Sequence, residues 1–248
     1  MATFDLGTIG STPVLRNNFT LTTSDTTDVF KFRTTSTSNL NLSVTDISVG
    51  DDAELLLFRD NGNGIFDSND QGVDASARSS NKDESINNRE NIGTFFAQVR
   101  RFEPGSSGTI SYDFAVSATT PNSTGGFSNL LPREFELGNL SGDVTRSSSV
   151  GDFDTADTYQ FSLGLFEGVN ITLNGLLNGD ADIRLVRDFN NNRIIDTGEE
   201  IARSTNGGIT ADVISNINQS GDYFLQVNQF SGQTGYTLTF DHFTTPFA

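Results

Sequence analysis

Between Asp188 and Glu199, five oxygen-bearing side chains fall at positions 1, 3, 5, 9 and 12 of a twelve-residue stretch: Asp188, Asn190, Asn192, Asp196 and Glu199. Ile194 adds a backbone carbonyl at position 7, and Ile195 an apolar side chain at position 8. Carboxylates crowded this closely repel one another unless a cation lies among them. Oxygens at this spacing supply the roughly 6–8 hard donors that calcium takes, with water completing the shell. The stretch therefore predicts a calcium site. Arg193 stands at position 6, where such loops turn sharply on a glycine, so the turn is expected to differ in detail. A metal-free turn is the competing reading, because Asn and Asp favour turns on their own.

A shorter version of the same pattern runs from Asp60 to Asp70. Its candidate ligands are Asp60, Asn61 or Asn63, the Ile65 carbonyl, Asp67 and Asp70. The stretch is one residue shorter before Ile65, and Gly62 and Gly64 permit the tighter path. Its last ligand is Asp rather than Glu and reaches less far. Two calcium ions are expected, with the Asp188 loop the tighter site.

The same carboxylates could suggest a glycosidase pair. A catalytic acid, however, needs an apolar pocket to raise its pKa, and these acids sit among Asn and Gly. His242 is the single histidine and there is no cysteine, so Ser–His, Cys-based and His-metal chemistry lack material. A non-enzymatic protein is expected.

The elements that must hold these loops read as strands. Short runs such as Phe4/Leu6, Leu42/Val44 and Tyr236/Leu238/Phe240 alternate apolar and polar residues between Gly, Asn and Asp. This is the pattern of antiparallel strands with one buried face. The 21 Phe residues supply core area that the few aliphatics do not. The runs also occur twice in the same order. Thr3–Gly10 matches Glu134–Ser141, Asp25–Phe32 matches Asp154–Phe161, Asn41–Val44 matches Asn170–Leu173, Ala53–Leu55 matches Ala181–Ile183, and Gly93–Val99 matches Gly221–Val227. The last strand, Ile110–Phe114, is aligned with Tyr236–Phe240. The expectation is all-β: two tandem antiparallel β-sandwich domains, jelly-roll-like, at 1–120 and 132–248, with a small, polar linker at 121–131.

A net charge of −17 repels nucleic acid and anionic lipid, so neither is an expected partner. No apolar run approaches the ~20 residues that span a bilayer, so no membrane insertion is expected. The first residues show neither a basic region nor an apolar stretch of the kind a cleaved signal peptide carries. An extracellular or cell-surface location is expected, reached by a route resembling type I secretion, with a cytoplasmic one left open.

Gly221-Asp222-Tyr223-Phe224-Leu225-Gln226-Val227, followed by Gly235-Tyr236-Thr237-Leu238-Thr239-Phe240, resembles the closing hairpin of bacterial pre-peptidase C-terminal (PPC) domains. Asp157-Thr158-Tyr159-Gln160-Phe161 and Asp180-Ala181-Asp182-Ile183-Arg184-Leu185 resemble their earlier strands. The first half keeps the order with weaker motifs: Phe95 stands at the hairpin Tyr, and Ile110 at the Tyr of the last strand. The resemblance implies a calcium-stabilised β-sandwich of secreted proteins, usually appended to proteases, here carrying loops similar to those of EF-hands. The function expected is a structural or adhesive element of a bacterial surface, matrix or fibre. The alternative is an accessory module that binds a polysaccharide or protein. The expected partners are calcium and either further copies of the chain, joined through the N-terminal strand, or an extracellular polysaccharide or protein.

Overall fold

The computed structural model describes residues 2–103, 105 and 108–245. They form two compact units, Met1–Thr120 and Pro121–Ala248, built only of strands, turns and irregular segments. Among the described residues no helix is long and apolar enough to cross a membrane.

The first unit comprises β1 (Ala2–Thr8), β2 (Val14–Leu21), β3 (Thr27–Thr34), β4 (Ser38–Thr45), β5 (Asp52–Arg59), β6 (Gln71–Ser76), β7 (Glu84–Glu90), β8 (Gly93–Glu103) and β9 (Ile110–Thr119). One sheet runs β1-β3-β8-β5-β6 and the other β2-β9-β4-β7. The second unit comprises β10 (Phe135–Asn139), β11 (Val144–Val150), β12 (Ala156–Leu163), β13 (Glu167–Asn174), β14 (Gly179–Val186), β15 (Glu200–Ser204), β16 (Asp212–Ile217), β17 (Gly221–Gly232) and β18 (Thr234–Thr244). Its sheets run β10-β12-β17-β14-β15 and β11-β18-β13-β16, the same order nine strands later. The repeat read from the sequence is thus a repeat of topology, and each unit is a β-sandwich.

The pairing departs from expectation at one strand per unit. β1 lies parallel to β3, and β10 parallel to β12, while every other pairing is antiparallel. The reason is connectivity: β2 and β11 belong to the opposite sheet, so the chain crosses over before returning beside its first strand. Both parallel pairs shift register at the glycine of the Phe-acid-Leu-Gly segment. Gly7 and Gly138 there have φ of 72° and 71°, a left-handed bulge that glycine adopts without strain.

Aromatic rings fill the space between the sheets. In the first unit Phe30 of β3 stacks on Phe114 of β9 at 4.1 Å, and Phe4 lies 4.9 Å from Phe19 and 5.4 Å from Phe30. Phe4 therefore finds an apolar face within its own unit. In the second unit Phe135 stacks on Tyr159 at 4.7 Å, and Phe161 meets Phe240 edge-on at 5.4 Å.

The last strand aligns differently from the sequence reading. Tyr112 donates to Asp28 at 2.7 Å, as Tyr236 does to the equivalent Asp157. Leu42 pairs with Val116 where Ile171 pairs with Phe240. Tyr112, not Ile110, is therefore the counterpart of Tyr236. The stretch 121–131, read as linker from its composition, is in part structural. The guanidiniums of Arg184 and Arg203 each lie 4.8 Å from the Phe127 ring, and Leu130 and Leu131 are buried.

Candidate metal centres

Each acidic loop joins an edge strand of a five-stranded sheet to its neighbour: β5 to β6 in the first unit, β14 to β15 in the second. In both, an arginine at the exit of the inner strand lies over an aromatic ring of the next strand. Arg59 is 4.5 Å from the Phe95 centroid and Arg187 is 5.0 Å from that of Tyr223. A Cβ on Gly93 or Gly221 would meet the tips of those guanidiniums, and Gly221 also has a φ of 133°, which favours glycine.

The structure gathers every predicted ligand side chain of the second loop. Asp188 accepts the N–H groups of Asn192 (3.2 Å) and Arg193 (3.0 Å). Glu199, buried, accepts those of Phe189 (2.9 Å) and Asp196 (2.8 Å) and so closes the loop. The side-chain amides of Asn190 and Asn192 both donate to Asp196 Oδ2 at 2.8 Å. Ile194 forms an antiparallel bridge with Leu130, through Leu131 N–H to the Arg193 carbonyl and Ile195 N–H to the Asn129 carbonyl, both 2.9 Å. Neither bond uses the Ile194 carbonyl.

The first loop repeats this network with one residue fewer. Asp60 accepts the Gly64 N–H through both oxygens (3.0 and 3.2 Å). Asp70 closes the loop by accepting Asn61 N–H (3.0 Å) and Asp67 N–H (2.9 Å). Asn61 and Asn63 both donate their amides to Asp67, at 3.3 and 2.8 Å. The Asn69 N–H, ahead of the Asn63 amide, lowers the Asp67 carboxyl below its usual range. Ile65 donates its N–H to Asn63 Oδ1 at 2.7 Å, as Ile194 does to Asn192 Oδ1 at 3.1 Å. Asn61 and Asn63 thus answer to Asn190 and Asn192, and the residue missing from the first loop is the counterpart of Phe189. One cation enters this network: Lys31 Nζ donates to the Gly64 carbonyl at 2.7 Å.

The donor chemistry of both loops fits a hard cation. Carboxylate and amide groups converge on the carboxylate at the ninth position or its equivalent. The Oδ1 atoms of Asn61, Asn63, Asn190 and Asn192 each accept one backbone N–H within their loop and keep a second lone pair.

A further carboxylate group is not legible as a site from spacing along the chain. Glu134, Asp154 and Asp157 bring carboxylate oxygens within 4.8 Å of one another and could hold a metal ion. Burial foremost pushes the Asp157 carboxyl up to about 6, against hydrogen bonds from Tyr236 and Ser148. Glu134 Oε2 also accepts the Thr158 N–H at 3.0 Å. The sequence signal is the shared Asp-x-x-Asp of 25/28 and 154/157, while Glu134 joins only because β10 lies parallel to β12. Thr3 stands at its position in the first unit, which therefore lacks the third carboxylate.

Fold and loops together define a tandem of β-sandwich modules with an acidic hairpin loop on each. The profile of the bacterial pre-peptidase C-terminal domain matches residues 26–101 and 155–229, more than half of the chain, so the chain belongs to the PPC family. Among solved structures it is similar to the PPC domain of a Bacillus anthracis collagenase (19% identity, covering 47% of this chain and 93% of that one, TM-score 0.33). It is also similar to the g-type lysozyme inhibitor PliG of Aeromonas hydrophila (16% identity, 44% and 98% covered, TM-score 0.28) and to the CUB1-EGF-CUB2 domains of rat MASP-1 (8% identity, 96% and 99% covered, TM-score 0.28). These scores carry nothing of those proteins' activities to this chain. No curated protein gives a significant match.

Proposed function

We propose that the chain is a non-catalytic, calcium-stabilised tandem that serves outside the cell as a structural or adhesive element of a bacterial surface, matrix or fibre. The observation that carries the metal half of this reading is the duplicated closure. In each loop a terminal carboxylate, Glu199 or Asp70, ties the two ends together, and two amides converge on one central carboxylate. Asp188, Asn190, Asn192, Ile194, Asp196 and Glu199 would hold one ion, and Asp60, Asn61, Asn63, Ile65, Asp67 and Asp70 another. The ion would neutralise charge where like charges meet and fix the outer hairpin of each five-stranded sheet. Membership of the PPC family supports the non-catalytic and secreted parts of the reading.

A second reading, an accessory module that binds a polysaccharide or protein, is favoured by one feature. A cleft of about 260 Å³ beside the second loop is lined by Arg133, Arg187, Arg193 and the exposed Phe189. Light scattering after size exclusion, at high protein concentration with and without calcium, separates the two. The structural reading expects calcium-dependent high-molecular-weight species. A protein that stays monomeric in calcium contradicts assembly and leaves the accessory role.

A further inference from the structure

We infer that the cleft beside the second loop takes an acidic sugar residue, a uronic-acid ring, with Arg187 on its carboxylate and Phe189 against its apolar face. This deepens the accessory-module reading given above and rests on it. At about 260 Å³ the cleft falls just short of the ~300–1,000 Å³ of sites for drug-sized ligands, so it suits one small residue. Its wall carries Arg133, Arg187 and Arg193 against Asp188 and Asp222, a net positive place on a chain of charge −17. Physiological salt screens charges beyond about 8 Å, so an entering anion meets this local balance rather than the net charge.

The first unit shows what sets the second apart. Arg59, the counterpart of Arg187, is paired: its Nη2 donates to Glu90 Oε2 at 2.5 Å. Arg187 donates instead to two neutral oxygens, Gln219 Oε1 and the Ser220 carbonyl, both at 3.2 Å, and makes no ion pair among the described residues. A guanidinium has five N–H groups and these bonds use two. The others suit a planar carboxylate, which arginine grips through two parallel bonds. Lys31, cross-strand from Phe96, sends its ammonium to the Gly64 carbonyl at 2.7 Å. Gln160, cross-strand from Phe224, is neutral and lines the cleft. The second unit therefore lacks both the carboxylate and the lysine that occupy this place in the first. It carries in addition Phe189, the residue missing from the first loop, 62% exposed and with its ring 5.4 Å from the Arg187 guanidinium. A uronic acid matches both features at once, a carboxylate for the guanidinium and a flat C–H face for the ring. A glutamate or aspartate side chain offers the carboxylate without the face.

The isotope-labelled full chain is titrated with methyl glucuronide, methyl glucoside and a glutamate blocked at both ends, and its amide shifts are followed by NMR. Titrations in calcium and in EDTA keep occupancy of the hairpin loops separate. Methyl glucuronide is expected to shift amides within 187–193 and 219–224. It should bind about tenfold or more tightly than methyl glucoside, the worth of a charged hydrogen bond, and more tightly than the glutamate, which lacks the ring. Gln219→Glu gives Arg187 the kind of partner that Arg59 has and leaves the lining residues in place. This variant and Phe189→Ala, at an exposed position, are each expected to weaken glucuronide binding, the first by about tenfold. An equal response to the glucoside overturns the acidic class and leaves the accessory reading standing. An equal response to the glutamate overturns the saccharide class. No shift from any of the three, or glucuronide binding unchanged in both variants, overturns the cleft as the site, while light scattering decides the accessory reading on its own.

Discussion

Arg193 occupies the backbone position in the second loop that Gly64 occupies in the first: φ is 61° at Arg193 and 74° at Gly64. Each donates its N–H to the aspartate that opens its loop, at 3.0 Å. A left-handed conformation costs a non-glycine residue roughly 1–2 kcal/mol. Arg193 bears that cost while its buried guanidinium donates to the Leu131 carbonyl at 3.2 Å and lies 5.5 Å over Phe224.

Two substitutions weigh these effects against each other. Gly64→Ala forces strain with no compensating contact and should cost about 1–2 kcal/mol in urea denaturation. Arg193→Gly relieves strain but removes a charged hydrogen bond worth roughly 1.5–3 kcal/mol, so it should also destabilise, by about 1 kcal/mol net. A more stable Arg193→Gly protein would mean that the side chain does not anchor the 127–131 segment.

Stability in chelator should fall as pH rises. Burial, the largest influence, pushes the Glu84 carboxyl up to about 7, against hydrogen bonds from Ser76 Oγ and the Arg78 N–H. Its unfolded value is about 4.5, so the folded state binds the extra proton between the two. The stability it contributes is complete below pH ~4.5 and is lost as pH rises through ~7. Melting temperatures of wild type and Glu84→Gln in EDTA, from pH 4.5 to 8, check this. The variant should lose part of the slope; parallel profiles would exclude Glu84 as its source.

Much of this architecture is legible in the amino-acid sequence, for physical reasons. A one-sided core imposes alternation, so Phe4/Leu6 and Leu42/Val44 mark strands. The Asp188–Glu199 spacing marks a closed loop because side chains at those intervals must converge. The partner of the first strand is not legible, since β1 pairs with β3 only through a crossover that leaves no local mark. The match of Tyr112 to Tyr236 is hidden because the segment between β8 and β9, residues 104–109, is longer than the single Gln233 between β17 and β18. That extra length shifts the alignment inside a polar stretch without apolar markers. Phe127–Leu131 reads as linker because its neighbours are small and polar, although Phe127, Leu130 and Leu131 are apolar. Glu134 joins Asp154 and Asp157 through strand pairing, which spacing along the chain does not encode.

On the proposed function, calcium holds the two hairpin loops, the second more tightly. Two features would make the first loop the weaker site: Asp70 is shorter than Glu199, and Lys31 places an ammonium on the Gly64 carbonyl. A ligand that binds only the folded state stabilises it by roughly 2.7 kcal/mol at a hundredfold excess over Kd. The direct measurement is calorimetric melting of the full chain in EDTA, in millimolar calcium and in millimolar magnesium, repeated for Asp188→Ala and Asp60→Ala. The expected result is a Tm that rises in calcium and less in magnesium, with the larger part of the rise lost in Asp188→Ala and a smaller part in Asp60→Ala. Superimposable wild-type curves in EDTA and calcium, or a calcium response untouched by either substitution, would contradict the claim.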